Sequence, residues 1–347
     1  ATVWLRDACR CAACRDPATM IRREGLPVLD PELPVREIAS TDDGASLRCV
    51  WPDGHETVLD AGWLRRHLRR GPGHGGLDAL GPQERWCRGF EPPTRRHEEL
   101  DDPATLLAWS EALWRFGVAR LTDVPTTRAA LREVAGRLGP IRASNYGPDW
   151  SIEASTDPFS PVDSDQSLRV HVDLPYREVP PGVQFNLCVV NDATGGAATL
   201  TDGFAVADAI RDEDPRTFAA LTTVDVPTHW RSPDHDLEWS APIVELAPDG
   251  EPRRIRYAPG LVGLVAADPA TTRAAYRAHG RFTELANDGR FRITVPFEPG
   301  DLLALHNHRV LHGRTSLDLL GGARTLLGCY LDVDDLHSTI RVLRRHP

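Results

Sequence analysis

A histidine and a carboxylate two positions apart on a β-like run set the first constraint on this chain. The stretch reads Arg169-Val170-His171-Val172-Asp173-Leu174-Pro175, with valines alternating with His171 and Asp173. Residues i and i+2 of a strand point to the same side, so one imidazole and one carboxylate face one space. Two histidines and a carboxylate, with coordination positions left open, are the donor set of non-haem Fe(II) oxygenases. The third donor must come from elsewhere. Far downstream, Leu305–Arg314 offers His306, His308 and His312. Any fold that completes the set must bring that segment beside the His-x-Asp strand. A His-x-Asp alone is common by chance, so the rest of the chain has to support the reading.

Bulk properties narrow the choice. A length of 347 residues suits two domains, or one large domain with an appendage. The hydrophobic share of 41 % and charged share of 26 % are those of a soluble globular protein. A net charge of −10 argues against nucleic acid as the main partner. No apolar run is long enough to span a membrane. The stretch Ala1-Thr2-Val3-Trp4-Leu5-Arg6-Asp7 lacks the blocks of a signal peptide, so a cytoplasmic setting is expected. There is no lysine: all 40 basic residues are arginine. That excludes Schiff-base chemistry, pyridoxal-phosphate catalysis and a P-loop lysine.

Cys9, Cys11 and Cys14 form one tight cluster among seven cysteines. An odd count with one cluster reads as a metal site rather than a disulfide framework. Three thiolates spaced x and x-x can wrap one Zn²⁺ from a loop, and tetrahedral closure needs one more ligand. His55, in Trp51-Pro52-Asp53-Gly54-His55, follows the β-like run Ser46–Trp51 and is the best candidate. Such a site would be structural. Cys49, on that run, would face the small core instead.

A breaker-rich segment, Gly71-Pro72-Gly73-His74-Gly75-Gly76, follows the arginine-rich run Arg65–Arg70. We place an N-terminal zinc-binding β domain over 1–90 and a larger domain over 91–347. In the latter, Asp102 can cap a helix opening on Pro103, with Gly117 ending it. A second helix over Thr127–Leu138 stops at Gly139-Pro140. Strands follow from 183, helices return near Phe204–Arg211, Pro215–Leu221 and Pro269–Leu285, and strands close the chain at Phe291–Phe297, Asp301–Leu305 and Thr325–Leu331. Helices leading, then strands enclosing a His-x-Asp, then a late histidine: this predicts an α+β, mainly β architecture, a double-stranded β-helix (jelly roll) with helical buttresses.

At this point the motifs resemble a known family, the γ-butyrobetaine and trimethyllysine hydroxylases, which are Fe(II)- and 2-oxoglutarate-dependent oxygenases of the taurine-dioxygenase-like group. The carriers are Trp4-Leu5-Arg6-Asp7 before the cysteines, Trp51-Pro52-Asp53-Gly54-His55 and His171-Val172-Asp173-Leu174-Pro175. They continue with Pro181-Gly182-Val183-Gln184, Thr194-Gly195-Gly196, Asp202-Gly203-Phe204, Arg309-Val310-Leu311-His312-Gly313-Arg314, and Arg324 ahead of Gly328-Cys329-Tyr330-Leu331. The resemblance implies Fe(II) held by His171, Asp173 and His312, since His312 alone of the three late histidines sits in the family's Leu-His-Gly-Arg context. It implies structural Zn²⁺ on Cys9, Cys11, Cys14 and His55. Arg324 falls where the family pairs an arginine with the distal carboxylate of 2-oxoglutarate, a task suited to a guanidinium fork. O₂ is the second cosubstrate, succinate and CO₂ the co-products, and a homodimer the expected assembly.

For the substrate, the resemblance implies an aromatic cage around a trimethylammonium group, held by cation–π attraction. Tyr146, Trp150 and Tyr330 occupy matching positions, while a fourth tyrosine is replaced by Asp163. Ser160 and Ala258-Pro259 stand where the family has asparagines, and Arg256 is an extra cation suited to a different anion, even a phosphonate. A small quaternary-ammonium, γ-butyrobetaine-like substrate in a remodelled cage is the expectation. Two other classes stay open: a jelly-roll isomerase or lyase using its metal as a Lewis acid, and a zinc-module interaction protein with an inactive oxygenase core.

Overall fold

Short runs of alternating burial build the chain's sheets. The computed structural model describes residues 2–25, 28–68, 80–154, 164–319 and 322–345. The chain divides into two compact units, Ala1–His74 and Gly75–Pro347. The segment Gly71–Gly76 lies outside the described residues.

The first unit carries a short helix, Thr2–Asp7, and an antiparallel sheet of Glu37–Thr41, Ser46–Val50 and Glu56–Asp60, followed by the helix Ala61–Leu68. Cys49, Trp51 and Leu59 are buried in its core, and the Trp51 indole N–H donates to Thr57 Oγ1 at 2.9 Å. Cys49 therefore packs inward, as its alternation with the strand's other residues requires.

In the second unit, a six-stranded sheet has the order Thr94–Arg96, Val118–Thr122, Leu302–His306, Val183–Asn191, Arg324–Leu331, Asp149–Glu153. A four-stranded sheet has the order Arg292–Val295, Ala198–Asp202, Val310–Arg314, Leu168–His171. The period-2 alternation decides what each face meets. Val118, Cys188, Leu303, Leu305 and Leu326 of the larger sheet pack with Leu200, Ile293, Val295 and Val310 of the smaller one. The opposite residues of the larger sheet, such as Leu121, Phe185, Leu187 and Ala304, pack under helical residues including Trp109, Leu113, Leu131 and Ile340. On the far face of the smaller sheet, Val170, Val172 and Leu311 join a third cluster with Phe204, Phe282 and Leu285. Each fully buried Leu or Phe stabilises such a core by ~1.5–3 kcal/mol. This is the expected jelly roll with helical buttresses.

Helix ends follow their sequence signals. Asp102 accepts from Thr105 N, Pro103 opens the helix Pro103–Phe116, and Gly117 closes it at φ 76. Thr127 caps Arg128–Leu138. Leu80 and Trp86, which the sequence boundary leaves on the N-terminal side, lie in core clusters of the second unit. A fully buried ion pair braces the ends of two adjacent inner strands, Ala198–Asp202 and Val310–Arg314: Arg309 donates from Nε to Asp202 Oδ1 at 3.0 Å and from Nη2 to Oδ2 at 2.7 Å. Two motif residues thus act as a bidentate brace. Among the described residues no helix is long and apolar enough to cross a membrane.

Candidate metal and cosubstrate site

The alternation along 170–173 sends two valines one way and two donors the other. With Val170 and Val172 in the helix-facing cluster, His171 and Asp173 turn to the opposite face. The neighbouring strand delivers the third donor, because His312 is the direct antiparallel partner of His171. His171 Nε2 and His312 Nε2 lie 3.4 and 3.6 Å from Asp173 Oδ1. Within each of two groups, His171–Asp173–His312 and Cys9–Cys11–Cys14–His55, the ligand atoms all lie within 4.8 Å of one another.

Local geometry prepares these groups. His171 Nδ1 lies 3.0 Å from the Arg169 carbonyl. A carbonyl only accepts, so Nδ1 carries a proton and Nε2 is the nitrogen turned toward Asp173. Burial holds the His312 pKa down to about 4, leaving a neutral imidazole near neutral pH. Burial alone would raise Asp173, but His312 and His171 beside it draw the carboxyl down to about 2. Burial alone would lower His171, but Asp173 and the Arg169 carbonyl raise its pKa, so a divalent metal would displace a proton there while meeting a neutral His312 and an ionised Asp173. The donor set fits a non-haem iron.

Three supports hold Asp173. Asn307 Oδ1 accepts from Asp173 N at 2.8 Å, and Asn307 Nδ2 donates to Asp173 O and to Pro181 O, both at 3.0 Å. Tyr330 donates its hydroxyl to Asp173 Oδ2 at 2.7 Å. Leu174 then takes φ 53 and turns the chain sharply, a conformation uncommon for a non-glycine residue. Gly313, next to His312, sits at a register irregularity; a Cβ there would lie 2.4 Å from Leu168 O. Only glycine lets the His312 strand pass so close.

His306 and His308, the other late histidines, are buried away from this group. His308 donates from Nε2 to Pro180 O at 3.0 Å, and the His306 ring stands edge-on to Trp114 at 5.9 Å. Both are core residues.

Arg324 is 4 % exposed. It donates from Nη2 to Gly196 O at 3.2 Å, and its buried Nε has no hydrogen-bond partner among the described residues. Burial and the nearby Arg314 lower its pKa to about 10, so it stays cationic. A buried guanidinium with a free donor fits an anionic cosubstrate. Gly196, at φ 69, leaves the necessary room: a Cβ would fall 3.0 Å from Arg324 Nε and 2.4 Å from Leu317 Cδ2.

Aromatic rings collect beside Asp173. Tyr330, Leu174 and Tyr176 pack with Trp150 and Trp230. The Trp150 and Tyr330 rings are 5.9 Å apart, Tyr176 stacks on Trp230 at 6.0 Å, and Tyr146 meets Trp230 edge-on at 5.5 Å. Trp150 lies over its cross-strand partner Gly328, where a Cβ would come within 2.1 Å of the indole. Tyr176 and Trp230 were not expected from the sequence. Tyr176 stands three residues after Asp173 and was legible there; Trp230 sits on the hairpin Val226–Arg231/Asp236–Ala241 and carries no motif.

Arg256, expected to meet an anion, is held by protein partners. Its Nε pairs with Glu245 Oε1, Nη1 donates to Pro175 O and Arg177 O at 3.1 and 2.7 Å, and Nη2 donates to Glu178 O at 2.6 Å. It pins the loop after Asp173 through the hydrogen bonds to these carbonyls. Asp163 and Ser160 lie outside the described residues.

In the N-terminal unit, His55 Nε2 lies 3.2, 3.7 and 3.5 Å from the Sγ atoms of Cys9, Cys11 and Cys14. Tetrahedral Zn²⁺ with its usual bond lengths places S and N about 3.5 Å apart. The four donors fit zinc. Arg6 donates to Cys14 Sγ at 3.4 Å and to Asp53 Oδ2 at 3.3 Å, linking the Trp-Leu-Arg-Asp motif to the turn that carries His55.

A jelly roll in which two imidazoles and a carboxylate converge, with a buried arginine on a core strand, fits a non-haem metal oxygenase. Comparison with known proteins agrees. The model of the TauD, TfdA family, described as taurine catabolism dioxygenase, matches residues 88–330, and a gamma-butyrobetaine hydroxylase-like N-terminal model matches residues 1–67. The chain is 38 % identical to a gamma-butyrobetaine dioxygenase of Pseudomonas sp. (strain AK-1), over 99 % of this chain and 90 % of the relative. It is 28 % identical to the mitochondrial trimethyllysine dioxygenase of Rattus norvegicus, over 99 % and 82 %. A taurine dioxygenase from Burkholderia xenovorans shares the fold at TM-score 0.54 and 18 % identity, over 71 % of this chain and 90 % of that one. The chain belongs to the TauD/TfdA dioxygenase family. It is a 2-oxoglutarate-dependent non-haem iron dioxygenase.

Proposed function

We propose that this dioxygenase oxidises an unactivated C–H bond of a small quaternary-ammonium compound of the γ-butyrobetaine type. His171, Asp173 and His312 hold Fe(II), and Arg324 grips the far carboxylate of 2-oxoglutarate. Cys9, Cys11, Cys14 and His55 hold a structural Zn²⁺. Iron with 2-oxoglutarate and O₂ supplies the oxidising power, with succinate and CO₂ as co-products. The chain's own residues bind, orient and exclude water.

The observation that carries this reading is the placement of the aromatic cluster directly against Asp173. Aromatic faces attract a trimethylammonium group by cation–π interaction, and the carboxylate end of the metal site lies at their edge. Trp150, Tyr146 and Tyr330 are the proposed contacts, with Trp230 and Tyr176 backing them. Arg256 is not among them. The reading includes a cytoplasmic setting and, from the family resemblance, a homodimer, which light scattering would check.

The test is succinate release from 2-oxoglutarate with Fe(II) and ascorbate, across paired trimethylammonium compounds and their neutral tert-butyl isosteres. The reading expects stimulation by the cations and little by the isosteres. Equal stimulation by both would remove the cation from the account.

A further inference from the structure

The two oxygens of Asp173 have different neighbours. Oδ1 faces His171 Nε2 and His312 Nε2 at 3.4 and 3.6 Å, while Oδ2 accepts the Tyr330 hydroxyl at 2.7 Å. Tyr330 cannot easily swing away from this contact. It is 3 % exposed, packs with Leu174 and Tyr176, and its ring lies 5.9 Å from Trp150. It also sits near the end of the strand Arg324–Leu331, paired with Gln184 of the Val183–Asn191 strand, so its backbone is fixed by a central ladder. The carboxylate is thus held from two sides: its backbone by Asn307, its outer oxygen by Tyr330.

We propose that Tyr330 is a positioning residue that keeps Asp173 a one-oxygen ligand. This rests on the reading that His171, Asp173 and His312 hold the metal. A carboxylate free to bind through both oxygens would occupy one of the coordination positions that the two-histidine, one-carboxylate set must leave open. A phenol donating to Oδ2 opposes that binding mode, because the second oxygen would have to surrender a buried hydrogen bond. Partners of this kind, which hydrogen-bond to ligating carboxylates, are worth about 10–100-fold in metal affinity. Tyr330 therefore joins two tasks in one side chain. Its ring forms a wall of the ammonium site and its hydroxyl sets the binding mode of the metal's carboxylate.

Tyr330→Phe separates the tasks, since it keeps the ring and removes the hydroxyl. The measurement is Co(II) affinity by anaerobic equilibrium dialysis, with the visible absorption of the Co(II) form, beside the KM for a trimethylammonium substrate. Tyr330→Phe is expected to weaken Co(II) binding by about 10–100-fold, to alter the Co(II) absorption, and to raise the substrate KM less than Tyr330→Leu does. Tyr330→Leu, lacking ring and hydroxyl, is expected to lose as much metal affinity and also to raise the KM. Wild-type Co(II) affinity and spectrum in both variants would overturn the proposal. His312→Ala keeps the two readings apart. If it binds Co(II) as tightly as wild type, the metal-site reading fails; if it loses binding while Tyr330→Phe does not, only the role of Tyr330 fails.

Discussion

His171 and His312 are direct cross-strand partners, with ring centroids 4.5 Å apart on adjacent antiparallel strands. That pairing converts a local His-x-Asp pattern into a three-donor site. A one-residue slip of either strand would turn a donor into the helix-facing cluster with Val170 and Leu311. The irregularity at Gly313 is what lets the register hold up to His312 while the chain passes Leu168 closely.

Arg324→Met should weaken 2-oxoglutarate specifically. Losing a charge-assisted contact to a carboxylate costs about 1.5–3 kcal/mol, roughly tenfold to a hundredfold in affinity. The KM for 2-oxoglutarate should rise by that factor while Co(II) affinity stays near wild type. Arg324→Lys should rescue it poorly, because an ammonium does not reproduce the planar fork. An unchanged KM would remove Arg324 from the cosubstrate site.

Asn307→Ala should loosen Asp173 without touching any ligand atom. It deletes three hydrogen bonds, to Asp173 N, Asp173 O and Pro181 O. Leaving such buried groups unpaired costs about 1–3 kcal/mol. Differential scanning calorimetry should show a lowered Tm, and dialysis a weaker Co(II) affinity. A lowered Tm with unchanged metal affinity would restrict Asn307 to the fold.

Acid should destabilise the fold through His308. Burial, then Arg254, push its pKa down to about 3, against an ordinary value of about 6.5. Below pH ~6.5 the unfolded chain takes up a proton that the folded chain refuses, so stability falls as pH drops from there toward 3. The full contribution is present above pH ~6.5. His308→Asn should flatten the dependence of Tm on pH between 7 and 5 relative to wild type. Parallel curves would show that His308 does not carry it.

Much of this architecture was legible because its signals are short-range. Asp102-Pro103 and Thr127 mark helix starts, and the alternation around His171 reports a two-faced strand before any partner is known. His312 needed its Leu-His-Gly-Arg context, since His306 and His308 offer the same chemistry and only burial separates them. The partners of Arg256 were not legible: nothing local shows that Glu245 and three carbonyls of 175–178 will engage its guanidinium. Asn307 was hidden between two histidines that looked more eventful. Trp230 depends on a hairpin, carrying no motif, that brings its indole against Tyr176 and Tyr146 and Leu237 against the same cluster.

The most direct test of the central claim is a turnover with isotopically labelled O₂, 2-oxoglutarate and a γ-butyrobetaine-type substrate, read by mass spectrometry. The account predicts one labelled oxygen atom in succinate for each 2-oxoglutarate consumed, coupled to oxidation of the substrate, with both lost in His312→Ala. Succinate without label, or substrate oxidation that persists in His312→Ala, would contradict it.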